Sequence, residues 1–234
     1  MSKRAQGFTL VEMAIVLVIV GLLIGGLVTP LGVQLEQRRV ADTQRAMEDA
    51  RDALAGFAVR NGYLPCPAIS ASNGLEDREG ARCTNERRIG FLPWATLGLP
   101  KLDSWNHLYL YSVTPAFTDS ANVFRLNTPR DITIASRDAL GNLVSASASN
   151  DIPAVILSHG HNGYGGYSDV GVRMADAGSG NIDEKTNMSL DGRAFISRTA
   201  TDNAAAPGGA YDDQVVWLSP NILYNRMLAA QRLP

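Results

Sequence analysis

A single carboxylate, Glu12, stands at the edge of a run of 21 uncharged residues, 13–33, and no other feature restricts the fold of this chain as strongly. An apolar helix of about 20 residues matches a hydrocarbon core roughly 30 Å thick, so the run reads as a membrane segment. A carboxylate at that depth costs on the order of 2.5–3.5 kcal/mol on insertion scales, and such groups tend to be paired or functional. The plainer alternative is an interfacial carboxylate that marks where the helix leaves the headgroups. A cleaved secretory signal has a shorter apolar core, about 7–15 residues, with its small-residue cut site on the far side. Here the run is longer, and the better cut site, Gly7, precedes it. Lys3 and Arg4 lie before the run, which places the N-terminus in the cytoplasm and everything after residue 33 across the membrane, in the periplasm where there is an outer membrane.

Gly21, Gly25, Gly26 and Pro30 interrupt the apolar helix. Glycine weakens a helix interior, and proline removes a hydrogen bond and clashes with the preceding turn, so the span can bend or partly melt. Beyond it, Val40, Met47, Ala50, Leu54 and Phe57 recur at helical spacing, predicting an amphipathic helix to about Arg60. Five basic and five acidic residues between 34 and 60 cover the rest of its surface. One continuous helix over 8–60 measures about 80 Å at 1.5 Å per residue. Lipid or other subunits must bury its first half, and the chain that follows must bury its second.

Asn61-Gly62 ends the helix, with the glycine in a C-terminal cap. Residues 63–101 are rich in Gly and Pro and read as a loop with a short helical turn near 93–97. Cys66 and Cys83 lie within it, and an oxidising compartment favours their pairing. A disulfide there contributes about 3 kcal/mol by the chain-entropy estimate; two free thiols are the alternative. Short β-branched or aromatic runs at 108–113, 123–126, 132–135, 154–157, 194–197 and 214–218, bounded by Gly, Pro, Asn and Asp, predict strands. An antiparallel sheet covering the outer half of the helix is the natural assembly, since each buries the apolar face of the other. The small, polar stretches 144–150, 176–187 and 201–210 read as long loops. Ser219-Pro220 reads as N-cap and first residue of a terminal helix.

The formal net charge of −2, with scattered arginines, points away from nucleic acid. No GxSxG elbow, P-loop, dinucleotide fingerprint or HExxH occurs, and the three histidines form no catalytic pattern, so the chain is not expected to be an enzyme. His159-Gly160-His161 with Asp169 falls short of the ligand number that a transition metal needs. Calcium takes oxygen ligands from flexible loops, and Ser158, Asn162 and Asp169 with backbone carbonyls would supply them. Asp212-Asp213 would offer carboxylates to an ion or to catalysis; adjacent acids at a loop edge are more often simply solvated.

The leader 1–7 with Lys3 and Arg4, then Phe8-Thr9-Leu10-Val11-Glu12 and an immediate apolar helix, resembles the class III signal of type IV pilins and type II secretion pseudopilins. The resemblance implies cleavage after Gly7 by a membrane-embedded prepilin peptidase and methylation of the new N-terminal residue, Phe8. Glu12 matches the glutamate at the fifth position of the mature chain, which would neutralise the α-amine of a neighbouring Phe8 in a filament. Residues 99–111, containing Pro100, Asp103, Trp105-Asn106 and Tyr109-Leu110-Tyr111, are similar to the Pro, Asp, Trp-Gly, Tyr-x-Tyr segment of the major pseudopilin, with Asn106 where that family has glycine. Residues 155–163 resemble its strand and Gly-rich, often calcium-binding loop, without the usual aspartates.

Together these readings predict an α+β, pilin-like fold: a long N-terminal membrane-spanning helix packed on an antiparallel β-sheet domain. The expected divisions are a cleaved leader (1–7), a membrane half-helix (8–33), an amphipathic periplasmic half-helix (34–60) and a globular domain (61–234). The expected role is a structural subunit of a type II secretion pseudopilus or type IV pilus, with prepilin peptidase, other pilin or pseudopilin subunits and an inner-membrane assembly platform as partners. The rival is a bitopic envelope protein whose periplasmic domain binds a ligand and whose helix is only an anchor.

Overall fold

The computed structural model describes residues 9–233, apart from the side chains at 24 and 26–30. Its elements in chain order are α1 (Leu10–Asn61), β1 (Arg78–Glu79), β2 (Arg82–Cys83), β3 (Ile89–Phe91), α2 (Trp94–Leu97), β4 (Leu110–Val113), β5 (Thr133–Arg137), β6 (Leu143–Ser145), β7 (Ala154–Ser158), α3 (Ile182–Asn187), β8 (Ala194–Ile196), β9 (Gln214–Leu218) and α4 (Pro220–Ala229). The fold therefore mixes a long N-terminal helix with largely antiparallel sheet. Contacts divide the chain into two units, Met1–Ala41 and Asp42–Pro234, described here separately.

In the second unit, α1 buries Met47, Ala50, Leu54 and Ala58 against Tyr109, Tyr111, Val113, Ala154, Ile156, Val216 and Leu218. Leu223 and Met227 of α4 join the same cluster. Phe57 is buried as its spacing predicts, whereas Val40, assigned to the same stripe, is 44% exposed in the first unit. The helix ends as expected: Gly62 has φ +85°, its N–H donates to the Ala58 carbonyl, and the Asn61 amide donates to the Phe57 carbonyl. Ser219 occupies the N-cap of α4 through its backbone alone, without a side-chain capping bond.

The sheet on which α1 lies has the order β3-β4-β7-β9 and is antiparallel throughout. Every residue of β4 and β7 is buried, because the sheet is covered on both faces. Its far face packs Ile89, Leu110, Val155, Leu157 and Val215 against Ile132, Ile134 and Phe195 of the next layer. That layer is a second sheet, β6-β5-β8, in which β5 and β8 run parallel, a pairing the purely antiparallel expectation omits.

Residues 123–126 are a correction. The segment forms no strand, since Asp119 caps a turn through the N–H groups of Ala121 and Asn122, and Thr128 accepts from the Arg125 N–H. Only Phe124 is buried, its ring centroid 4.8 Å from that of Phe117, while Val123 and Leu126 stay exposed. Two expected loops contain structure: β6 (Leu143–Ser145), a fully exposed edge strand, runs into 144–150, and α3 lies in 176–187. The buried residues of α3 are Asp183, Glu184 and Asn187, so an apolar period could not reveal it.

Candidate functional site

Thr9 and Glu12 form a reciprocal cap at the start of α1. The Glu12 carboxylate accepts from the Thr9 N–H (2.7 Å) and hydroxyl (2.8 Å), and the Glu12 N–H donates to Thr9 Oγ1 (3.2 Å). This is a capping box, which satisfies two of the orphan donors of a helix N-terminus. The Thr-x-x-Glu spacing before an apolar run carries that signal, and the sequence reading missed it. Gly7 and Phe8, the expected processing residues, lie outside the described residues.

After the cap, the helix is apolar on every side, with Leu10, Val11, Ile15, Leu17, Val18 and Leu22 each more than half exposed. A helix that is apolar all round is one that lipid or protein covers. Among the described residues no helix is long and apolar enough to cross a membrane. The expected span 13–33 passes through 24 and 26–30, whose side chains are not among them.

Cys66 and Cys83 are joined in a disulfide with an S–S distance of 2.06 Å. The loop they close is also held by Glu76, which accepts from the Cys66 N–H and pairs with Arg78. Arg78 reaches on to the carbonyls of Ala81 and Thr118.

The segment resembling the major pseudopilin folds around Asp103. Its buried carboxylate accepts from the N–H groups of Trp105 (2.9 Å) and His107 (2.8 Å) and from the Ser158 hydroxyl of β7 (2.6 Å). Ser104 contacts Thr43 of α1, so one turn ties the helix to the sheet. Asn106 has φ +66°, in the left-handed region that glycine adopts freely and asparagine tolerates. That is why asparagine can replace the glycine of the resembled segment.

Ser158, Asn162 and Asp169, the expected calcium ligands, are not brought together. Ser158 is fully buried and committed to Asp103. The Asn162 side chain donates to Glu184 (2.8 Å). Asp169 is exposed, and its carbonyl accepts from Lys101. This trio does not fit calcium. The two histidines of the loop also part: His161 is exposed, whereas His159 is 1% exposed and lies 3.5 Å from Asp213.

A different group does converge. Glu184 of α3 and the adjacent Asp212 and Asp213 place one carboxylate oxygen each within 4.8 Å of one another. Burial, with the charges of Asp213 and Glu184, pushes the Asp212 carboxyl up to about 7, although the Asn162 N–H bonded to it acts in the opposite direction. Gly160 (φ +59°) lies so close to Asp212 that any side chain would collide with its backbone. The sequence reading noted Asp212 and Asp213 but not Glu184, which its polar surroundings disguised.

The family described as the prokaryotic N-terminal methylation motif matches residues 2–28. The chain thus carries at its N-terminus the signature of a methylated, membrane-anchored structural class. That signature belongs to type IV pilins and pseudopilins, and it implies processing by prepilin peptidase and assembly with other pilins. No curated protein and no solved structure matches the chain.

Proposed function

We propose that this chain is a prepilin-like structural subunit, cut after Gly7, methylated on Phe8 and packed helix to helix into a type II secretion pseudopilus or a type IV pilus. The observation that carries the reading is the methylation motif over residues 2–28, with its glutamate seated at the first turn of a helix whose apolar side chains are exposed all round. Residues 1–7 serve as the leader. Residues 8–33 lie in the inner membrane with the N-terminus cytoplasmic, and Met13 to Val28 become the filament core on assembly. Residues 34–60 are the periplasmic half of the helix, and 61–234 form a pilin-like domain. An inner-membrane assembly platform completes the partners.

Glu12 acts in this scheme as the register contact. In the single chain its carboxylate is occupied by Thr9; in a filament it would also meet the methylated amine of a neighbouring Phe8. A buried charge pair is a better device for register than for raw stability, because desolvation offsets most of the attraction. The similarity of 99–111 to the major pseudopilin favours the pseudopilus.

Mass spectrometry of the chain from cells with active prepilin peptidase tests this. The expected product starts at Phe8 and carries a methyl group; an intact leader refutes the proposal. Glu12→Ala should leave the chain in the membrane but exclude it from filaments, whereas a mere anchor would retain full function.

A further inference from the structure

The sheet on which α1 lies has two edge strands, and they are finished differently. At the β3 edge the outward N–H and C=O of Phe91 are both taken by Ala68. The β9 edge has no such neighbour. Its pairing with β7 runs without a break from Ser158↔Gln214 to Ala154↔Leu218. The Thr114 N–H donates to the Pro153 carbonyl, which fixes the alternation along β7: Val155 and Leu157 turn their backbone groups to β4, and Ala154, Ile156 and Ser158 turn theirs to β9. On β9 the N–H and C=O of Val215 and Trp217 therefore point outward. Among the described residues neither has a backbone partner on that side. Native proteins blunt such edges with charge, proline, a bulge or shortness. β9 is five residues long, Gln214-Val215-Val216-Trp217-Leu218, uncharged and free of proline.

A cleft of about 470 Å³ runs along this edge, walled by Gln44 and Arg51 of α1, by Arg198 beyond β8 and by Ile222 of α4. Polar atoms in its wall are orphaned. Gln214 Nε2 and Oε1 and Arg51 Nε are buried without a hydrogen-bond partner, a condition that buried polar atoms in native proteins rarely tolerate. Arg51 has only the Asp52 carboxylate near, at 3.7 Å, and Arg198 is committed to Asp183 and the Gly209 carbonyl. Val216 and Leu218 face α1, so alternation puts Gln214 on the same side, while Val215 and Trp217 face the second sheet. An added strand has the same two-residue repeat of about 6.8 Å. One set of its side chains would meet Gln214 and Arg51, and the other would lie beside Val215 and Trp217.

We infer that the β9 edge takes up an extended peptide from a different protein as a further strand of the sheet, with oxygen-bearing polar side chains toward Gln214 and Arg51 and apolar ones beside Trp217. In such strand addition the main-chain bonds supply affinity and the alternate side chains supply selectivity. A second copy of this chain fits less well. Antiparallel pairing of β9 with its own copy, centred on Val216, sets Leu218 opposite Gln214; centred on Val215, it sets Val216 there. Either register leaves the Gln214 amide facing an apolar side chain. The inference concerns the folded domain and holds whether or not the chain is processed at Gly7.

The test uses the full chain in detergent micelles. Random heptapeptides displayed on phage are selected against it, and the winning sequence is synthesised as the probe. Enriched sequences should alternate apolar and polar residues and lack proline. Methylating the backbone nitrogens of one alternate set of the probe's residues should weaken binding about tenfold or more, whereas methylating the other set should change it by less than about threefold, because only one set bonds β9. In hydrogen exchange the amides of Val215 and Trp217 should exchange fast in the free chain and that of Val216 slowly, and the probe should slow the first two at least about tenfold. Gln214→Leu should weaken the probe by about threefold to tenfold; a glutamine with a merely structural role would leave binding unchanged. The inference is overturned if no sequence is enriched over empty micelles, if both methylated probes bind alike, or if the probe leaves the Val215 and Trp217 amides unprotected. It is also overturned if those amides become protected when the chain alone is concentrated, since the occupant is then a second copy. Should Gln214→Leu fail to fold, the methylated probes and the exchange of the parent chain decide alone.

Discussion

Removing the Asp103 carboxylate should be among the most damaging single changes in the second unit, and its cost can be worked from three contacts. The side chain is 0% exposed and accepts from Trp105 N–H, His107 N–H and Ser158 Oγ–H at 2.9, 2.8 and 2.6 Å. A hydrogen bond to a charged group contributes about 1.5–3 kcal/mol, and a buried donor left without a partner costs about 1–3 kcal/mol. These contributions overlap, and losses beyond about 4–5 kcal/mol are exceptional for one substitution. Asp103→Ala is therefore expected to cost about 3–5 kcal/mol. Asp103→Asn keeps Oδ1 for the two backbone donors and offers an amide to the Ser158 oxygen, which can accept instead, so about 1–2 kcal/mol is expected. Ser158→Ala removes one contact of the three and should fall in the same lower range. Urea unfolding of the full chain in micelles, followed by tryptophan fluorescence, measures all three. The double variant Asp103→Ala/Ser158→Ala should cost less than the sum of its parts, because both remove the same bond. If Asp103→Ala stays within about 1 kcal/mol of the parent chain, the claim that this turn ties α1 to the sheet is wrong.

Reducing the disulfide, or replacing both cysteines by serine, releases a loop with a sequence separation of 17. The chain-entropy estimate puts the loss near 3 kcal/mol, a fall in thermal midpoint of about 6–12 °C for a unit of this size, read by scanning with and without reductant. The pH dependence of stability should carry the mark of Asp212, whose folded pKa of about 7 stands above the ordinary aspartate value of 3.8. Between those values the folded chain holds a proton that the unfolded chain has released. The group's contribution is fully present below about pH 4 and is lost as the pH rises through about 7. Asp212→Asn should flatten that decline in unfolding curves taken from pH 4 to 8, and an unchanged slope would refute the assignment.

What the sequence reveals here follows from which residues bear apolar side chains. The helix stripe of Met47, Ala50, Leu54 and Phe57, and the runs that became β4, β5, β7, β8 and β9, are legible because burial there is hydrophobic, recurring at helical spacing in the helix and gathered into short runs in the strands. The hairpin β1–β2 has no such signal, since its four residues are Arg, Glu, Arg and Cys, and polar α3 has none either. The error at 123–126 has the same origin in reverse: Val123 and Leu126 look like strand residues, but the chain turns before them at Asp119 and again at Thr128, which takes the Arg125 N–H.

The same limit separates the two ends of the molecule. At the N-terminus a local pattern suffices, because the proposed cleavage and the capping both read consecutive residues: Gly7, Phe8, Thr9 and Glu12 fall within six positions of the sequence. Even there the reading missed one contact, and the contact alters the role of Glu12. A carboxylate already held by two donors from Thr9 is fixed in place before any partner arrives, so in the proposed filament less side-chain entropy would be lost on meeting a neighbouring amine. The acidic group of the second unit is the opposite case, since Glu184 stands 28 residues before the Asp212 whose N–H it accepts and only the folding of β7, α3 and β9 brings them together. A site read from consecutive residues works in an unfolded leader as well as in a folded chain, as a processing signal must. A site assembled from distant residues exists only after folding, so changes to Glu184, Asp212 or Asp213 should register in the stability of the folded domain.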